Sequence, residues 1–118
     1  MTSKGWIGVD LDGTLAHYDG WVGATHIGEP VPKMVARVKA WLAEGRMVKV
    51  FTARVATIDH VVREEITRAV GDWCLVHVGF PLPVTCVKDF GMVELWDDRC
   101  VQVVPNTGEA IVYQGEEI

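Results

Sequence analysis

The chain reads as an open α/β domain built on a mainly parallel sheet. Three observations carry that reading. Apolar segments of strand length alternate with helical stripes in the order strand, helix, strand, helix, strand. The first of these segments, Trp6-Ile7-Gly8-Val9, is apolar throughout, as suits a parallel strand covered on both faces. Polar residues stand at the carboxyl ends of three strands, at Asp10, Thr52 and Asp97. That edge is where open α/β sheets bind ligands.

The elements follow in order. Lys4 to Asp10 is the first expected strand. Residues 13 to 29 are rich in glycine (Gly13, Gly20, Gly23, Gly28) and read as a loop or a small hairpin-like flap. Pro30-Val31-Pro32 then punctuates the chain and starts a helix. Met34, Val35, Val38, Trp41 and Leu42 form its apolar stripe, and Gly45 stops it. Met47 to Phe51 is the second strand, ending at Thr52. A second helix follows, with Thr57 as candidate N-cap and Asp59 favourable to its dipole. Ile58, Val61, Val62, Ile66, Ala69 and Val70 supply its expected apolar face, and Gly71 its end. Leu75 to Val78, Val84 to Val87 and Met92 to Trp96 read as strands. Val101 to Val104 and Ala110 to Tyr113, separated by Pro105-Asn106-Thr107-Gly108, suggest a terminal hairpin.

Composition narrows the classes. At 118 residues the chain is one domain, residues 1–118, and its 49% apolar content excludes a disordered chain. The longest apolar runs are far too short to span a bilayer, and the N-terminal residues lead into the first strand without a signal-peptide apolar region. No membrane partner is expected. Cys74, Cys86 and Cys100 are odd in number and lack metal-site spacing. They read as small buried hydrophobes in a reduced, cytoplasmic protein. A net charge of −5 disfavours a broad nucleic-acid footprint without excluding local contact.

The chemistry concentrates in Asp10-Leu11-Asp12-Gly13-Thr14-Leu15. Two carboxylates at a strand end would repel each other and resist ionisation. A divalent cation is the simplest remedy, and Mg²⁺ prefers one or two carboxylates with waters and phosphate oxygens. Further along stand Thr52, Lys88 and the pair Asp97-Asp98. Alone, each has an ordinary structural reading: a strand-end threonine, a solvated lysine, a polar strand exit. Arg54 fits either a contact to a substrate anion or a helix entry. His17 and His26 lie in the flap and are left off the catalytic set. Trp21 can stack on a planar substrate or anchor the flap. Trp6, Trp41, Trp73 and Trp96 read as packing residues.

The ordered stations resemble the four motifs of the haloacid dehalogenase superfamily. Asp10-Leu11-Asp12-Gly13-Thr14-Leu15 matches the first motif, Thr52 the second, Lys88 the third and Asp97-Asp98 the fourth, in order over residues 5 to 98. The resemblance implies a Rossmann-like three-layer sandwich and a Mg²⁺-dependent phosphomonoester hydrolase working through an aspartyl-phosphate. It makes Asp10 the nucleophile and Asp12 the proton donor and acceptor. Thr52 would hydrogen-bond a phosphoryl oxygen, with Lys88 balancing charge; Arg54, outside the four motifs, stays open between the substrate phosphate and a helix entry. Asp10, Asp97, the backbone carbonyl of Asp12 and, directly or from just behind, Asp98 would hold the metal.

Neither the interval from Asp12 to Thr52 nor that from Thr52 to Lys88 has room for a cap domain. A minimal, capless member is expected, its site open to a small or large phosphorylated substrate or completed by a second copy of the chain. Two other readings stand beside it. A receiver-like phosphoacceptor domain uses similar residue types, but its acceptor Asp would follow a central strand that here ends at Thr52. A non-catalytic metal- or phosphate-binding module does not need Asp12.

Overall fold

The computed structural model describes residues 5–111. Four strands and two helices follow one another as β1 (Trp6–Val9), α1 (Pro32–Ala43), β2 (Met47–Phe51), α2 (His60–His77), β3 (Val84–Thr85) and β4 (Met92–Trp96). A single 3₁₀ turn, Ala53–Val55, stands between β2 and α2. The strands form one sheet in the order β3-β2-β1-β4, and every pairing is parallel. This is the predicted α/β fold, compatible with a Rossmann-like sandwich.

The strand order fixes where a ligand can sit. The chain runs β1 to β2 to β3 in one direction, then returns to place β4 on the other side of β1. The crevice at the carboxyl ends of β1 and β4 is therefore the topological switch point. Asp10 N–H donates to Trp96 C=O at 2.8 Å and ties those two strand ends together.

Alternation along the strands assigns the two sheet faces. Ile7, Val9, Val48 and Val50 join Met34, Val35 and Val38 of α1 and Ile66, Val70 and Cys74 of α2 in one buried cluster. Trp6 lies opposite, 4% exposed. Its indole N–H donates to Asp89 at 2.9 Å, and the Lys49 ammonium stands 4.6 Å above its ring. On that side Asp89 and Gly91, at the end of the segment between β3 and β4, touch Trp6.

Helix α1 begins at a proline, whose fixed φ suits the first turn, and gives way to Gly45 at φ 81°. Helix α2 departs from the sequence reading at both ends and along its apolar face. Its N-cap is Asp59, which accepts from Val61 and Val62 N–H at 3.0 and 3.1 Å; Thr57 instead accepts from Asp59 N–H. Gly71 does not end it, and Leu75–Val78 is no strand: the helix runs to His77 and turns at Gly79, φ 91°. The reason is spacing. Ile66, Val70, Cys74 and Val78 recur every four residues and are all buried. A glycine inside a helix costs about 1 kcal/mol against alanine, less than burying those side chains contributes. The N-terminal part of the expected apolar face is also displaced outward, with Ile58 95% and Val61 66% exposed.

Smaller differences remain. The third strand shrinks to Val84–Thr85, and Lys4 and Tyr113 lie outside the described residues. Among the described residues the expected terminal hairpin shows an antiparallel bridge, Val103 to Ala110, around a turn with Asn106 and Gly108 at positive φ. Of the cysteines only Cys74 is buried, its thiol pushed up to about 11 by that burial; Cys86 is half-buried and Cys100 exposed. All three are free thiols. No helix among the described residues is long and apolar enough to cross a membrane.

Candidate functional site: an acidic cluster beside an arginine clamp

An open cleft of about 540 Å³ lies at the switch point. Asp10 reaches it from the end of β1, Thr52 from β2, and Asp97 and Asp98 from β4. Asp12 and the flap residues Tyr18 and Trp21 complete the wall. Three chain segments distant in sequence thus deliver polar groups to one edge, as their strand-end positions predict.

Asp10, Asp97 and Asp98 form the acidic part. One carboxylate oxygen from each lies within 4.8 Å of the others. Asp10 is pushed up to about 7, first by burial, then by its hydrogen bond to Asp98 and the charges of Asp97 and Asp98. No cation offsets these effects among the described residues; only the Thr14 hydroxyl opposes them. Thr14 Oγ1 lies 3.3 Å from Asp10 and 3.4 Å from Asp98, and accepts from Asp98 N–H at 3.0 Å. It fastens the β1 turn to the β4 turn. Gly13 permits that approach: its φ is 91°, and a Cβ there would meet the Asp98 carboxylate at 2.5 Å. The donor set is all hard oxygen around an uncompensated charge, which fits a small divalent cation.

Asp12 stands two residues away in different surroundings. Arg54 grips both its oxygens, with Nε and Nη2 each at 2.8 Å. The same guanidinium donates through Nη1 to the flap carbonyls of Gly23 and Ala24 at 3.2 and 2.8 Å. It also lies 5.0 Å from the Trp21 ring centroid. Its side chain is only 6% exposed. Arg54 is aimed there by the turn after β2, where Thr52 Oγ1 accepts from Arg54 N–H at 3.2 Å. Thr52 itself is buried, and its N–H is held by Thr85 C=O at 2.9 Å.

The flap after β1 is closed at its base. His17 N–H donates to Glu29 C=O at 2.7 Å and Val31 N–H to Leu15 C=O at 2.8 Å. Gly28 passes so close to the His17 carbonyl that a Cβ could not fit, and its own carbonyl accepts from the Trp73 indole at 3.0 Å. His17 pairs with Asp19 at 2.7 Å on the surface. His26 is exposed; Trp21 both lines the cleft and caps Arg54.

Lys88 is not brought into this arrangement. It lies beyond β3 in the segment that crosses to β4, exposed and outside the cleft lining. Besides Arg54, the cation lining the cleft is Arg99, whose backbone N–H donates to Asp97 Oδ1 at 2.8 Å. Sequence reasoning did not single out Thr14 or Arg99. The signals were adjacency: a hydroxyl just after the Asp-Gly turn, and a cation just after the terminal acidic pair.

No family model matches the chain, and no curated protein does. Among solved structures it is similar to a conserved protein from Bacteroides thetaiotaomicron, with a TM-score of 0.58 and 19% sequence identity. The match covers 88% of this chain and 84% of that one. At that identity the likeness concerns the fold.

Proposed function

We propose that the chain is a Mg²⁺-dependent phosphomonoester hydrolase of the haloacid dehalogenase type, with Asp10 as nucleophile. One observation carries the reading: the three-carboxylate cluster of Asp10, Asp97 and Asp98 has no salt-bridge partner among the described residues and opens on a cleft at the topological switch point. The first-motif resemblance supplies the reaction that such a cluster serves.

In this reading an Asp10 oxygen bonds to phosphorus as the bond to the leaving oxygen breaks. Asp12 gives that oxygen a proton, then takes one from the water that cleaves the aspartyl-phosphate and restores Asp10. Thr52, fixed at the end of β2, hydrogen-bonds a phosphoryl oxygen. Arg99 supplies a cation to the phosphate at the cleft mouth, the task that the resemblance gives Lys88. A bound Mg²⁺ would offset the repulsion between the phosphate and the carboxylates of Asp10, Asp97 and Asp98. Among the described residues no cap covers the cleft, and the substrate in this reading is a phosphomonoester whose leaving group extends past the flap.

A panel of phosphomonoesters assayed with Mg²⁺ tests the proposal. Wild type releases phosphate from at least one ester, and Asp10→Asn, still folded, releases none. Full Mg²⁺-dependent turnover by Asp10→Asn would overturn the mechanism.

A further inference from the structure

The contacts of Arg54 are unusual in their reach. One guanidinium, 6% exposed, joins three parts of the site: the Asp12 carboxylate, the Gly23 and Ala24 carbonyls of the flap, and the face of Trp21. Four of its N–H directions are occupied in that way. The fork geometry suits arginine and not lysine, because a single ammonium cannot serve a carboxylate bidentately and reach two carbonyls at once.

The pair also forms a partition. Asp12, Arg54 and Tyr18 line the main cleft on one side. They line a second cavity of about 240 Å³ on the other, walled in part by the flap residues His17, His26 and Glu29. A shift of the flap at Gly23 and Ala24 must carry the Arg54 bonds with it or break them. Both Asp12 oxygens accept from Arg54 in the described state. To carry the proton that it gives, one of those oxygens must take up hydrogen, and its charge-assisted bond to Arg54 then weakens or is exchanged.

We infer that Arg54 is a positioning residue that couples the flap to the proton-transferring carboxylate, so that a leaving group entering beneath the flap and the re-aiming of Asp12 are one event. This goes beyond the phosphatase reading in assigning the flap a part in proton transfer, and its functional half rests on that reading. Arg54 itself makes or breaks no covalent bond in this scheme. It sets where Asp12 stands when the bond to the leaving oxygen breaks.

Two measurements test it, using Arg54→Lys and, from the other side of the pair, Asp12→Asn. The first is amide hydrogen exchange over residues 18–27, read on the full chain without substrate. Both variants should exchange there about tenfold faster than wild type, while the strand core keeps its protection. Unchanged flap exchange in both variants would overturn the coupling, and if one variant fails to fold the other decides. The second is hydrolysis of a series of aryl phosphates of rising leaving-group pKa. The loss in Arg54→Lys should grow along the series, because good leaving groups need little proton donation. A loss of equal size for every ester would overturn the inference, since that is what a phosphate-binding or merely structural arginine gives. If wild type hydrolyses no ester, the phosphatase reading is what fails, and flap exchange still decides whether the latch exists.

Discussion

Asp10 and Asp12 are separated by one residue and live in opposite electrostatic surroundings. Asp10 faces two further carboxylates with no salt-bridge partner among the described residues, and its pKa is pushed up to about 7. Asp12 faces a buried guanidinium that bonds both its oxygens. The first is a site with a charge still to be matched. The second is a matched pair whose cation is tied to a flap. The difference teaches why one short motif can hold two carboxylates with unequal work. Leu11 turns inward to the core, fully buried, and leaves its neighbours on either side of the turn facing different partners.

Stability should separate the two aspartates by sign. Asp12→Ala strands the Arg54 charge in a site that is 6% exposed, and should cost about 3 kcal/mol. In metal-free protein Asp10→Asn removes a like-charge contact and should instead stabilise by on the order of 1 kcal/mol. Urea denaturation of the two variants beside wild type reads both. A destabilised Asp10→Asn would break the contrast.

Metal should act on one side of the comparison alone. With Mg²⁺ at a hundredfold excess over its Kd, wild type should gain about 2.7 kcal/mol of stability. Asp97→Asn should lose most of that gain, whereas Lys88→Ala should keep it. Thermal melts with and without Mg²⁺ distinguish these outcomes.

The smallest effect concerns a carboxylate remote from the cleft. Asp89 is held below the ordinary carboxylate range by the Trp6 indole N–H, then by Gly91 N–H. A depressed value means that its contribution is present above the unfolded-state pKa and is lost as pH falls through the folded one. Asp89→Ala should therefore differ from wild type near neutral pH and converge with it in acid. A gap that widens in acid would contradict the assignment.

Much of the frame was legible because it rests on local pattern. β1 is an apolar run and β4 one broken only by Glu94, both followed by aspartates, and β2 leads to a buried threonine, so chain order alone brings the polar residues to one edge. The second helix was misread where short apolar runs carry no period of their own. Leu75 and Val76 are exposed helical residues, and the stripe that decides the matter needs Ile66 through Val78 taken together. The role of Arg54 was not legible at all. Its partner lies 42 positions away, and only the packing of the flap onto the turn after β2 makes them meet. Lys88 shows the reverse: a residue placed by motif order that the segment between β3 and β4 carries away from the cleft.

The central claim is that Asp10 carries the phosphoryl group. Wild type mixed with Mg²⁺ and ³²P-labelled acetyl phosphate, quenched in acid and digested, should yield one labelled peptide with the label on Asp10. The label should be absent in EDTA and in Asp10→Asn, and should decay within turnover time on dilution. Label on any other residue, or undiminished labelling of Asp10→Asn, would contradict the account.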